Sequence, residues 1–379
     1  MTGPSLNAAT RTVFVDAGPL SEPHLTGIGR YTARLALALK ALPDCALRFA
    51  SADNEIIAPP ALDGSQDQDL ARWAKAVWRG RRKPLGEVDV PADSLGLFCC
   101  LRPPIRRFPF EVSVLHDFTP LVVPWTHAAK TVRQFQEFFA RDLMFSDAAI
   151  ADSYSTKSDA RWLCEFPSEK IVVTHAGPSL CVERHLHERP VTRRPEVGLV
   201  VSTLEPRKNP FFLLDWFQSN NVLPVGAELW WVGKLGWLTS RRRLRPYTRP
   251  DRRGRRVRFL GTVSDVELCR LYQTAGWSAY PSLYEGFGLP VLDALRHGTP
   301  VLASQHSSLC ELDHPGVYSF DPYDAATVDS AWRSFSASPS LVTPDVILDT
   351  LYRWDAIART ILTLAETSHS KIIMSSRAA

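Results

Sequence analysis

The stretch SAYPSLYEGFGLPVLDALRHGTPVLA, Ser278 to Ala303, divides into a strand (Ser278 to Pro281), a glycine-containing loop (Ser282 to Leu289), a short helix (Pro290 to His297) and a second strand (Pro300 to Ala303). Pro290 suits a first helical position, and Gly298 suits the stop after His297. A strand, a helix and a strand in this order make a βαβ unit, which calls for a parallel sheet covered on both faces.

The same alternation extends in both directions. Upstream lie strands at Val197 to Ser202, Leu229 to Val232 and Val257 to Leu260, with helices at Asn209 to Phe217 and Val266 to Ala275. The first half repeats the pattern with a strand at Thr12 to Asp16, a glycine loop at Leu25 to Arg30 and a helix at Tyr31 to Ala41. Further strands follow at Leu47 to Ala50, Gly96 to Cys100, Glu111 to Leu115, Ala148 to Ala151 and Ile171 to Thr174. Thr156 and Asp159 form a capping pair ahead of the helix carrying Trp162 and Leu163. The charged, proline-containing stretch from Cys181 to Pro195 is the expected linker. The expected organisation is α/β, with two doubly wound domains: a flexible N-terminus (1–10), a first domain (11–180), the linker (181–195), a second domain (196–345), a closing helix (346–367) and a flexible tail (368–379).

A length of 379 residues suits two domains of ordinary size. With 45% hydrophobic and 22% charged residues the chain has the balance of a folded protein, which excludes a disordered one. Seven scattered cysteines without Cys-x-x-Cys spacing are expected to be reduced cytosolic thiols. Met1 to Thr10 lacks the features of a secretory signal, and no apolar run nears the roughly 20 residues that span a bilayer. The expected setting is the cytoplasm, with any membrane contact peripheral.

Charge is unevenly spread. Arg241 to Arg258 holds ten arginines against Asp251, a local +9, whereas the whole chain carries +4 and the remainder therefore −5. Such a segment suits anionic lipid head groups or phosphorylated acceptors, or is a solvated loop. Tyr247 is its sole aromatic residue, so a nucleic-acid groove is not expected. Between Asp69 and Lys83, a helix with Trp73 and Trp78 on one face and arginines beside them fits either a bilayer interface or packing on its own domain.

In doubly wound sheets ligands bind outside the carboxyl ends of strands, which directs attention to the loops Thr203 to Lys208, Gly233 to Trp237, Gly261 to Val263 and Ser282 to Leu289. Gly286 and Gly288 allow close backbone approach, and the free amides of the following helix suit a diphosphate. Glu285 would repel phosphate and so is placed to accept hydrogen bonds from sugar hydroxyls, unless it caps the helix; Asp293 suits a ribose diol. Arg207 and Lys208 oppose the dipole of the helix they precede, so something anionic must compensate them. Those two cations suit charge developing on a departing diphosphate. In the first half His116 and Asp117 end a strand at the cleft, although a structural histidine is the commoner case. Gly27 and Gly29 make a phosphate-binding-like turn, too incomplete for a nicotinamide enzyme but suited to admit donor or acceptor phosphate, so both count as donor-binding candidates.

The ordered set GIGRY (Gly27 to Tyr31), LHD (Leu115 to Asp117), STLEPRKN (Ser202 to Asn209), VGKLGW (Val232 to Trp237), VRFLGTV (Val257 to Val263) and LYEGFGLPVLDA (Leu283 to Ala294) resembles glycosyltransferase family 4. The resemblance runs from about Val13 to Leu364 and implies a GT-B architecture, two Rossmann-like domains facing a cleft. It implies retaining, metal-independent transfer of a hexose from a nucleotide sugar, with the acceptor on the first domain and the donor on the second. By position, Arg207 and Lys208 would hold the diphosphate, Glu285 the sugar, Phe287, Gly288 and Leu289 sugar and phosphate through backbone amides, and His116 the sugar from the opposite wall. Gly261 to Val263 would meet the base, and Thr203 and Gly286 belong to the same donor site. Trp354 to Leu364 is similar to the family's last helix, which crosses back to the first domain. Two departures stand out: Asp293 replaces a glutamate eight positions after Glu285, and Ser202-Thr203 replaces a glycine-arginine pair.

STLEPRKN points to bacterial mannosyltransferases of surface polysaccharide synthesis, which makes GDP-mannose the first expectation for donor and a UDP-sugar the second. The expected acceptor is a lipid-linked saccharide at the inner membrane face. Asp293 leaves open a donor-binding protein without transfer.

Overall fold

The fold is described from a computed structural model over residues 10–22, 25–57, 70–177, 192–337, 348 and 351–376, with side chains as far as Glu366. Residues 1–9, Asp69, linker positions 181–191 with Cys181, positions 338–347 and the end of the tail (377–379) lie outside the described residues.

Two sheets carry the chain. The first contains β1 (Arg11–Asp16), β2 (Cys45–Ser51), β3 (Asn54–Ile57), β4 (Arg81–Pro84), β5 (Leu95–Phe98), β6 (Phe110–Leu115), β7 (Ala148–Ala151) and β8 (Ile171–Val173). Its order is β4-β3-β2-β1-β5-β6-β7-β8, parallel except for the antiparallel β2-β3-β4 edge. The second contains β9 (Arg194–Val201), β10 (Glu228–Val232), β11 (Arg256–Gly261), β12 (Ala275–Tyr280), β13 (Val301–Ser304) and β14 (Val317–Phe320) in the order β11-β10-β9-β12-β13-β14, with every pairing parallel. Central strands are apolar along their length because helices cover both faces: Ala148–Ala151 and Ala275–Tyr280 are buried at every position.

Several local expectations are corrected. The helix expected from Tyr31 starts at Gly27, where the Thr26 hydroxyl accepts from the Gly29 amide at 3.3 Å. Gly27 and Gly29 therefore form a first helical turn rather than a loop. A Cβ on Gly29 would lie 2.8 Å from the Pro19 carbonyl oxygen, so close packing accounts for that glycine. Ser153, not Thr156 with Asp159, caps the helix Tyr154–Cys164, its hydroxyl accepting from the Thr156 amide. The helix expected over 69–83 runs only from Leu70 to Trp78, and its apolar face (Leu70, Trp73, Ala74, Val77) is buried in the first domain. Arg81 to Lys83 are instead an edge strand whose charges discourage further pairing. That segment offers no interfacial helix to a bilayer. Arg241 to Arg258 is likewise not one loop: Arg256 and Arg258 belong to β11, and Arg255 is buried against Asp251 and the Asn220 and Gln218 carbonyls. Cys45, Cys99, Cys100, Cys164 and Cys310 are free, whereas Cys269 is disulfide-bonded, so the expectation of reduced thiols fails at that position.

The helix Trp354–Ser376 leaves the second domain and packs on Gly27–Lys40, continuing through most of the expected tail. Trp354 meets the Tyr31 ring edge-on at 5.0 Å. Gly177 is required beneath it, since a Cβ there would lie 2.4 Å from Trp354 Cδ1. The two domains also meet across the cleft. Glu311 accepts from the Tyr154 and Ser155 amides at 2.9 and 2.7 Å, and Tyr284 donates to Asp159. No helix among the described residues is long and apolar enough to cross a membrane.

Candidate functional site

Beyond β9 the chain enters a short turn, Pro206–Lys208, closed by Asn209 in the left-handed region at φ 51°. The turn aims Arg207 and Lys208 at the loop after β12. Leu283 donates its amide to the Arg207 carbonyl at 2.9 Å, so the two loops are tied through backbone as well as side chains. Glu285 takes Arg207 on one carboxylate oxygen at 2.7 Å and Lys208 on the other at 2.5 Å. Lys208 also donates to the Tyr280 hydroxyl at 2.8 Å, and Arg207 reaches Glu205 at 3.1 Å. The anion required to compensate these cations is thus the chain's own Glu285, helped by Glu205.

All four charges are largely withdrawn from water. Burial raises the Glu285 carboxyl, but Arg207 and Lys208 outweigh it and hold the group at about 2. At Glu205 burial prevails over the same cations and the carboxyl is pushed up. Burial and the neighbouring Arg207 pull the Lys208 ammonium down despite Glu285, while the carboxylates Glu285, Asp117 and Glu205 keep Arg207 firmly charged against its own burial. One carboxylate shared by two cations leaves both able to turn to a stronger anion.

The Ser307 hydroxyl accepts from the Glu285 amide at 2.8 Å, and Ser308 donates to the Glu285 carbonyl at 2.9 Å. Neither serine was marked by a motif; their place just after β13, at a strand's carboxyl end, is the signal that locates them. Gly288 lies at φ 108° as the cap of Leu289–Arg296, supplying no side chain to the helix amides. A Cβ there would stand 2.5 Å from Leu309. The close approach expected of Gly286 is to the first domain: a Cβ would lie 1.6 Å from the His116 carbonyl oxygen. Phe287 is buried and stacks on His175 at 5.5 Å. Asp293 is 6% exposed, with its charge opposing ionisation of Tyr272. Thr203 follows β9, and Gly261 ends β11 in an open left-handed position at φ 69°, with Val263 just beyond.

On the facing wall His116 differs from its expected role. Its Nδ1 is 2.7 Å from Asp152 and its Nε2 is 2.9 Å from the Cys99 carbonyl oxygen, so both ring nitrogens are committed to the first domain and neither is left for a sugar. Burial opposes its protonation, but Asp152 outweighs burial and the imidazole is pushed up. Asp117 caps the next turn by accepting from the Thr119 amide at 3.1 Å. Gly27 and Gly29 stand behind Arg30, which pairs with Asp265 of the second domain at 3.1 Å. The structure therefore joins Arg207, Lys208 and Glu285 directly, with Thr203, Gly261, Val263, Gly286 to Leu289 and Asp293 in the same domain, and sets His116 in the other, while Gly27 and Gly29 serve a helix start.

Residues 184–342 match the family described as glycosyl transferases group 1. The chain is similar to O-antigen chain mannosyltransferase B of Escherichia coli, 28% identical over 262 residues, which are 62% of this chain and 66% of that protein. It is also similar to O-antigen chain mannosyltransferase RfbU of Salmonella typhimurium, 34% identical over 252 residues, 65% of this chain and 66% of that one. The chain thus spans just under two thirds of the length of these relatives. Its fold matches that of sucrose-phosphate synthase from Thermosynechococcus elongatus with a TM-score of 0.66 at 17% identity, over 95% of this chain and 100% of that one. Residues 184–342 thus carry a domain of the glycosyl transferases group 1, within a fold of two largely parallel sheets facing a cleft that is of the GT-B type.

Proposed function

We propose that the chain transfers a hexose, with mannose from GDP-mannose as the first choice and a UDP-sugar as the second, to a saccharide acceptor of bacterial surface polysaccharide synthesis. The observation that carries this reading is the buried Glu285 carboxylate shared by Arg207 and Lys208 beside an uncapped helix start. A donor diphosphate would draw the two cations and the Leu289–Arg296 amides, freeing Glu285 for sugar hydroxyls. Positive charge from Arg207 and Lys208 would stabilise the departing diphosphate without a metal ion. The acceptor hydroxyl would attack on the face from which the diphosphate leaves and give its proton to a phosphate oxygen, with retention. Asp293 would meet the ribose, and Gly261 to Val263 the base.

The names of the two relatives support mannose and an O-antigen-like acceptor. A lipid-linked acceptor at the cytoplasmic membrane face is supported by the exposed arginines Arg241, Arg242, Arg243, Arg245 and Arg249, which suit anionic head groups. Thermal unfolding in the presence of individual nucleotide sugars tests the donor, because a ligand bound to the folded state raises Tm according to its affinity. GDP-mannose should give the largest rise; no rise with any nucleotide sugar would overturn the reading.

A further inference from the structure

One polar group that the cluster around Glu285 does not use is His127. It follows the turn Pro124–Thr126 in the first domain. Across the cleft, Trp237 of the loop after β10 donates its indole N–H to the Thr126 carbonyl at 2.7 Å. The His127 and Trp237 rings stack at 5.6 Å with 28° between their planes, which fixes the direction of the imidazole. Its Nε2 is buried and has no hydrogen-bond partner among the described residues. A buried polar atom left unpaired is costly, and such atoms mark places where something else completes the bond.

The surroundings indicate what completes it. Trp237, stacked on the imidazole, is 40% exposed and Trp125, two residues before His127, is 65% exposed, so indole surface near the imidazole is open to solvent. An apolar flat face with a few fixed hydrogen-bonding atoms is the chemistry that receives a pyranose, whose C–H face is apolar and whose rim carries hydroxyls. Burial and the charge of Arg207 both push the imidazole down, so it stays neutral and can donate to or accept from a hydroxyl.

We propose that His127 Nε2 hydrogen-bonds a hydroxyl of a pyranose seated against Trp237, reached as the two domains part to admit it. The sugar is either the hexose being transferred or the terminal residue of the acceptor. This inference rests on the glycosyl-transfer reading and moves to His127 a contact that His116 cannot make.

The test uses the full chain with His127→Phe, which keeps the ring against Trp237 and removes its nitrogens, and His127→Gln, which returns an amide. Initial rates are measured with donor and acceptor varied separately, alongside Tm and nucleoside diphosphate affinity. His127→Phe should lower kcat/KM by about 5- to 10-fold, the value of one hydrogen bond, with His127→Gln recovering most of it. A change confined to the donor KM marks the transferred hexose, and one confined to the acceptor KM marks the acceptor. A Phe variant less than about two-fold impaired, or a Gln variant no better than Phe, would overturn the inference. Should the variants not fold, the His127 ring nitrogen resonances of the wild type decide: they should move on adding donor or acceptor, and unmoved resonances with both substrates saturating would overturn it. A wild type that transfers no sugar would instead condemn the glycosyl-transfer reading.

Discussion

On the second-domain wall Glu285 divides its carboxylate between Arg207 and Lys208, whereas on the first-domain wall His116 commits both nitrogens to Asp152 and the Cys99 carbonyl. The first arrangement is a store of charge that an incoming diphosphate can redistribute, because each cation is held by an anion weaker than the one it would meet. The second is a fixed brace: its partners lie within one domain, and no substrate contact would follow without breaking it. The wall with exchangeable partners is the one suited to bind and release an anion. On the braced wall, His127 keeps a buried Nε2 without a partner among the described residues.

The largest effect that would sharpen this contrast comes from Glu285→Gln. It leaves two buried cations with a neutral partner and should cost about 3 kcal/mol or more of stability at pH 7, measured by chemical denaturation. Activity should fall by about 10² if the carboxylate also serves the sugar. Its pH dependence carries a sign. The folded carboxyl is held at about 2 against an ordinary 4.5, so its stabilisation is complete above 4.5 and is lost as pH falls toward 2. The variant should therefore show a shallower acid limb than the wild type; equal limbs would break the picture of a charge held by two cations.

A smaller effect of opposite sign is expected where the domains touch. Burial pushes Asp159 up to about 6 although the Tyr284 hydroxyl donates to it. A raised carboxyl contributes stability that is complete below its ordinary 3.8 and is lost as pH rises through 6. Asp159→Asn keeps an acceptor for Tyr284 and removes the charge. It should be more stable than the wild type by about 1 kcal/mol at pH 7.5, after allowance for solvent screening, with the gain vanishing below pH 4. A variant less stable at every pH would mean that the ionised group holds the contact together.

The second-domain wall was open to sequence reasoning because its chemistry is local. Ser202 to Asn209 and Ser282 to Leu289 each follow an apolar strand, and strand ends of one parallel sheet converge. What hides from sequence are partners distant along the chain. His116 lay where expected, but Asp152, 36 residues away, decides what its ring can do. His127 carries no motif, and its loop meets Trp237 across 111 positions. Helix starts were misplaced for a different reason: Gly27 and Gly29 read as breakers although the Thr26 cap and the Pro19 carbonyl make them helical. Arg81 to Lys83 resembled the end of a charged helix because an edge strand bears the same residues.

The central claim is that Arg207 and Lys208 leave Glu285 to hold the donor diphosphate. Lys208→Ala tests it most directly, with transfer kinetics and nucleoside diphosphate calorimetry performed on the same preparation. The account predicts a kcat lower by about 10² or more together with weaker diphosphate binding in a folded protein. A folded Lys208→Ala protein that binds the diphosphate and turns over at the wild-type rate would contradict it.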